Sequence, residues 1–177
     1  MKTQWTVVDA LRHSRHDWLN RLQLIKAHLS LGNEARVQEL IHEFVGEAQQ
    51  ESRLMNVKMP LFTELLLTYT WSHPPCNLEY EVLGDVHTLT KYDEVMYTWT
   101  LHFFSMLHRV VDVYAENHLC ITIEQDDRFA RFFFDFRGKL ENIDEIKNWV
   151  IHRSNNIVSS HIASEEISIE IQLTKEG

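Results

Sequence analysis

Of the side chains in this sequence that can do chemistry, His16 has the most telling neighbours. The stretch Ser14-Arg15-His16-Asp17-Trp18-Leu19-Asn20 puts a carboxylate directly after the histidine and an amide one helical turn beyond it. A neutral imidazole carries one nitrogen with a free lone pair, so it can act as a nucleophile wherever a second molecule can reach it. Reach depends on which helix face it occupies. Val8, Leu11, Trp18, Leu22, Ile25 and Leu29, with Arg15 in the same register, alternate at three- and four-residue spacing, the seam of a helix that packs in a bundle. At roughly 100° per residue, His16 falls about 130° from the centre of that stripe. Arg12, Leu19, Asn20 and Gln23 share its side, because residues three, four and seven apart are helix neighbours. Asp17 lies about 100° around from His16, so face-to-face pairing of the two is not expected. His16 is therefore predicted to be exposed and open to another protein.

Charge points the same way. The chain is acidic, with Lys+Arg 17 against Asp+Glu 26 and a formal net charge of -9. Around His16 the sign reverses, since Arg12, Arg15, Arg21 and Lys26 outnumber Asp17 between Leu11 and His28. A basic helix face on an acidic protein favours an incoming anion, either a phosphoryl group or an acidic pocket on a partner.

The same composition excludes several classes. Net acidity argues against nucleic acid, and Phe132-Phe133-Phe134-Asp135-Phe136 reads as a strand buried on both faces rather than a base-stacking platform. With 11 histidines a metal site has to be considered. His13 and His16 are one turn apart, but no third ligand converges on them, and HExxH and zinc-ribbon cysteines are absent, so no metal is expected. Cys76 and Cys120 stand far apart without a CxxC and read as reduced thiols. No apolar run approaches the roughly 20 residues that span a bilayer, and Met1-Lys2-Thr3-Gln4-Trp5-Thr6 lacks a hydrophobic signal core. A cytoplasmic protein without a membrane segment is the expectation.

The elements that must carry His16 follow from periodicity. Gly32-Asn33 is a helix stop, and a second amphipathic segment follows with Val37, Leu40, Ile41, Phe44, Val45, Ala48 and Met55 on one face. Two helices joined by a short turn make a hairpin that cannot cover its own apolar stripe. Two copies would build a four-helix bundle, which predicts a homodimer; the alternative is that the rest of the chain covers the stripe. Pro60 opens a different texture. Leu61 to Trp71 reads as a helix ended by His73-Pro74-Pro75, Asn77 to Leu83 as a strand closing at Gly84, and Asp93 to Ala115 as a long helix lying on a sheet. His118 to Gln125 and Phe129 to Phe136 read as strands of a hairpin turning at Asp126-Asp127-Arg128, Asp144 to Ile151 as a helix, and Glu166 to Leu173 as a last strand. The fold class is α+β. Residues 1–58 are expected to form the helical hairpin, for dimerisation, and residues 59–177 an α/β sandwich.

The run Leu11-Arg12-His13-Ser14-Arg15-His16-Asp17-Trp18-Leu19-Asn20-Arg21-Leu22-Gln23-Leu24-Ile25-Lys26 resembles the phosphoacceptor helix of the sporulation initiation phosphotransferases, and His-Asp-x-x-Asn resembles the H-box of sensor histidine kinases. The similarity continues through Leu29-Ser30-Leu31, Glu51-Ser52-Arg53-Leu54 and Leu78-Glu79-Tyr80-Glu81-Val82-Leu83-Gly84, and more faintly at Glu116-Asn117-His118-Leu119. The resemblance implies a phosphotransferase of a cytoplasmic sporulation phosphorelay. His16 would carry the phosphoryl group between aspartates of two response regulators, with Arg12, Arg15, Asp17, Leu19, Asn20 and Gln23 supporting it or meeting the partner. His13, followed by Ser14 rather than a carboxylate, is the lesser candidate. Mg²⁺ is expected from the receiver domain, and no cofactor from this chain.

The second half resembles the ATP-binding domain of histidine kinases in its order of elements, but not in its nucleotide chemistry. Met106-Leu107-His108-Arg109-Val110-Val111-Asp112-Val113-Tyr114-Ala115 lacks the Asn-Ala signature of those kinases. Asp135-Phe136-Arg137 is followed by a single glycine, Gly138, and the chain has only 5 glycines in all. Backbone that approaches a polyphosphate closely needs glycine, so autophosphorylation from ATP is not expected. An ATP-dependent histidine kinase core and a non-catalytic dimeric receiver-binding scaffold remain the alternatives. The first would need a nucleotide pocket, and the second would not need His16 as a nucleophile.

Overall fold

A computed structural model describes residues 5–72, 74–126, 128–153 and 156–174. The chain divides into two compact units, residues 1–49 and 50–177. The first holds α1 (Val7–Ser30) and most of α2 (Glu34–Asn56). Thr6 starts α1 with a capping box: its hydroxyl accepts from Asp9 N at 3.2 Å, and Asp9 Oδ2 accepts from Thr6 N at 3.2 Å. Gly32, at φ +68, makes the turn that ends α1, and Asn33 Oδ1 accepts from Arg36 N as α2 begins. This is the expected hairpin. No residue of α1 is buried, and Val8, Leu11, Trp18, Leu22 and Leu29 are each more than half exposed.

The second unit contains the last turns of α2, α3 (Pro60–Leu67), β1 (Asn77–Leu83), α4 (Asp93–Val110), β2 (His118–Gln125), β3 (Phe129–Arg137), α5 (Ile143–Ile151), β4 (Ile157–Ile162) and β5 (Glu166–Thr174). The five strands run in the order β1-β2-β3-β5-β4. β1 pairs with β2 in parallel, and the other neighbours are antiparallel. The class is α+β, as expected. Pro60 suits the first position of α3, where its missing N–H costs nothing. Asp93 then caps α3, accepting from Leu61 N at 3.0 Å and Phe62 N at 2.9 Å. The core lies between the helices and one face of the sheet, where Phe62, Phe103, Phe132, Phe134 and Phe136 are fully buried. The free edge of β1 is occupied by α2: Arg53 Nε donates to Val82 O at 2.8 Å and Arg53 Nη2 to Gly84 O, while Gln50 Oε1 accepts from Val82 N at 2.8 Å. Among the described residues no helix is long and apolar enough to cross a membrane.

Several expectations change. α4 ends at Val110, not Ala115, because Val111 turns to extended backbone and bridges Leu140. The stretch read as one helix to Trp71 is α3 followed by a separate 3₁₀ turn, Tyr69–Ser72. Its proposed terminator His73 lies outside the described residues, as do Met1 to Gln4, and so does Asp127 of the hairpin turn, which Asp126 Oδ1 holds through Arg128 N and Phe129 N. β3 is buried on one face only: Ala130, Phe132, Phe134 and Phe136 point inward, while Arg131 and Phe133 are half-buried and Asp135 and Arg137 exposed. β4 was not expected at all.

Candidate functional site

His16 sits midway along α1 with its side chain 71% exposed, on a helix of which no residue is buried. Asn20, one turn on, brings its Nδ2 to 3.2 Å from His16 Nδ1. Asp17 Oδ1 lies 3.5 Å from the same nitrogen, at the outer limit of hydrogen bonding. The expected separation of His16 and Asp17 therefore narrows to an edge-on approach: adjacent helix positions diverge, yet both side chains bend toward each other along the helix surface. Neither contact involves Nε2.

The basic face is smaller than the sequence suggests. Arg12 Nη1 pairs with Asp9 Oδ1 at 3.0 Å. The Thr6 hydroxyl and N–H, aided by Arg12, hold the Asp9 carboxyl below the usual carboxylate range. Arg21 Nη2 pairs with Glu47 Oε2 at 2.6 Å, its guanidinium lying 5.6 Å from the Trp18 ring and 5.2 Å from the Phe44 ring. Among the described residues Arg15 and Lys26 make no ion pair, and both are exposed. Leu19, Asn20 and Gln23 are exposed as well. His13 is less open than His16 and meets the Trp5 ring edge-on at 5.4 Å. Together α1 presents one imidazole whose outer nitrogen is accessible, with Arg15 beside it in sequence.

A second polar cluster lies inside the C-terminal unit. The Tyr69 hydroxyl is 2.7 Å from His108 Nε2, and Tyr69 is also hydrogen-bonded to the Cys76 thiol. Burial pushes Cys76 up to about 11, pushes Tyr69 well above its ordinary value, and pulls His108 below the usual imidazole value. Such a thiol stays protonated and unreactive near neutral pH. The cluster braces the fold, and no sequence pattern links its three members. Cys76 and Cys120 are both free. Among the described residues no group of three or more His, Cys, Asp or Glu side chains is placed to hold a metal ion.

The chain is thus an α+β protein that carries an exposed histidine, with an amide beside one ring nitrogen, on a helical hairpin. Comparison with known families gives its class. Residues 1–57 match the family model described as sensor kinase SpoOB-type, alpha-helical domain, and residues 58–174 match sporulation initiation phospho-transferase B, C-terminal. The chain is 37% identical over 172 residues to sporulation initiation phosphotransferase B of Bacillus subtilis (strain 168), covering 94% of this chain and 89% of that protein. The chain belongs to the sporulation initiation phosphotransferase B family.

Proposed function

We propose that the chain is a histidine phosphotransferase that relays a phosphoryl group between aspartates of two response regulators in the sporulation phosphorelay, through a phosphohistidine at His16. The observation that carries this reading is the tethering of His16 at Nδ1 alone, with Asn20 at 3.2 Å and Asp17 at 3.5 Å. For Nε2 to attack phosphorus, the ring proton must sit on Nδ1. Asp17 is an acceptor that favours this tautomer, and the Asn20 amide, turned by 180°, presents its oxygen to the same proton. Nε2 then keeps its lone pair facing solvent.

In the forward step the Nε2 lone pair forms an N–P bond while the P–O bond of a receiver's aspartyl phosphate breaks, and the carboxylate leaves with the electron pair. In the second step a carboxylate oxygen of another receiver attacks the same phosphorus, and the N–P bond breaks back to a neutral imidazole. Both transfers are in line through a loose transition state, where positioning and charge neutralisation supply most of the catalysis. The receiver would bring Mg²⁺ to neutralise phosphoryl charge. Arg12, which shares the face of His16 and holds only an exposed pair with Asp9, is the cation of this chain best placed to add to it, while Arg15 lies in the register of the apolar stripe. Leu19 and Gln23, exposed on the same side, offer a contact surface to the receiver.

The exposed stripe of α1 supports a homodimer, with two hairpins closing a four-helix bundle. Fully burying a side chain such as Leu or Trp contributes roughly 1.5–3 kcal/mol, so five or more such positions are a substantial drive to associate. The relay needs no nucleotide from this chain, and the scarcity of glycine supports a C-terminal unit that does not feed phosphate to His16. Incubation of the protein with a phosphorylated receiver, and separately with labelled Mg-ATP, tests the reading. Label should move from receiver to His16 and on to a second receiver. Label reaching the chain from ATP alone would return it to the kinase class, and receiver binding without transfer would leave a scaffold.

A further inference from the structure

The C-terminal unit carries an open cleft of about 560 Å³ between α4, the turn after α5 and β5. That volume falls within the range of small-molecule sites. Its apolar side is made by Met96, Trp99 and Ile171. Trp99 is fixed in an aromatic cluster, stacked on Phe103 at 5.4 Å and edge-on to Trp149 at 5.2 Å, so the surface it offers is preformed.

The polar side holds Arg153, His102, His152 and Asn156. The Arg153 guanidinium lies 5.1 Å over the Trp149 ring and makes no ion pair among the described residues. His152 Nδ1 donates to Asn148 O at 2.6 Å, which leaves Nε2 as the nitrogen available to other partners. Among the described residues Glu94 is the sole acid lining the cleft. One arginine cannot neutralise a triphosphate, and among the described residues no glycine lines the cleft to let backbone amides cradle one. Arg153, which has no ion-pair partner among the described residues, and the two imidazoles beside it suit a single negative charge on a flat apolar body.

We infer that this cleft binds a small aromatic monoanion, its ring against Trp99 and its acid group at Arg153. Nothing in the phosphoryl transfer at His16 calls for such a site, and the inference stands or falls apart from that reaction.

The test uses the full chain with its indole nitrogens labelled, followed by NMR, and 2-naphthoate as the probe. The indole N–H resonance missing from Trp99→Phe should shift saturably, with a Kd below about 1 mM. Arg153→Gln, whose side chain is not part of the core, should weaken binding at least about 5-fold with unchanged melting temperature, and so should replacing the probe by the neutral 2-naphthalenemethanol. The Arg153→Gln and neutral-probe comparisons hold even if Trp99→Phe fails to fold. Equal affinity for acid and alcohol, or shifts confined to Trp18 on the exposed hairpin stripe, would overturn the inference as nonspecific apolar adsorption. Competition of Mg-ATP for the same resonance would overturn it in favour of a nucleotide.

Discussion

Asn20 Nδ2 stands 3.2 Å from His16 Nδ1, one helical turn along α1, and among the described residues no comparable contact reaches Nε2. If Nδ1 is the protonated nitrogen of the reactive tautomer, Asp17 and Asn20 act by positioning rather than by bonding to phosphorus. Asp17→Asn keeps the size and loses the anionic acceptor, so transfer should slow by about 10-fold or more, with kcat falling and receiver affinity little changed. Asn20→Asp, which restores an acceptor at the same distance, should retain more activity than Asn20→Ala. The phosphohistidine should be the Nε2 isomer by NMR. An Nδ1 phosphate would contradict the arrangement.

His16→Gln should abolish transfer in both directions while leaving circular dichroism and melting temperature within error, since a side chain 71% exposed contributes little to stability. Near-normal transfer in this variant, with phosphate mapped to His13, would displace His16 from its role.

How much of this was legible in the sequence depends on how far each element's own residues decide its state. β1 and β2 end where alternation and turn residues place them. The exposure of His16 is shared by the apolar stripe of α1, so period alone does not account for it. The last turn predicted for α4 was lost to tertiary pairing: Val111 bridges Leu140 and Asp112 N donates to Lys139 O, contacts with residues far along the chain. β4 left no trace because it is an edge strand with a bulge between Ile157 and Ser159 and an exposed Val158, so its apolar alternation is broken. At the site, the charges were visible but their partners were not. Arg12 turning to Asp9 and Arg21 to Glu47 depends on rotamers that no spacing rule supplies.

Leu22 and Leu29 are 56% and 54% exposed on α1, which a second copy would cover. Leu22→Glu or Leu29→Glu should convert a dimer to monomer, since an unpaired charge buried in such a seam costs several kcal/mol. Light scattering at micromolar concentration checks this. A monomer for the unmodified protein would refute the bundle.

Labelled Mg-ATP should leave His16 unphosphorylated, and excess nucleotide should not raise the melting temperature, because a ligand at about 100 times its Kd would add roughly 2.7 kcal/mol. An ATP-dependent phosphohistidine, lost in His16→Gln, would refute this.

The Tyr69–His108 hydrogen bond, 2.7 Å long, should make stability fall in mild acid. Burial lowers the folded pKa of His108 below the value the unfolded chain would show. The unfolded state therefore binds more protons near that ordinary imidazole value, and stability rises with pH through the window. The contribution is fully present above the ordinary imidazole range and is lost as pH falls through it toward the lowered folded value. Tyr69 and Cys76, the titratable groups hydrogen-bonded within the cluster, stay protonated throughout because burial raises both. Neutral His108 accepts from the Tyr69 hydroxyl, whereas a protonated ring would present a donor to it inside the core. His108→Gln keeps an acceptor without a titrating ring. It should cost about 1–2 kcal/mol at neutral pH and flatten the dependence of denaturant midpoint on pH between about 7.5 and 5.5. An unchanged slope in that variant would assign the acid sensitivity to other groups.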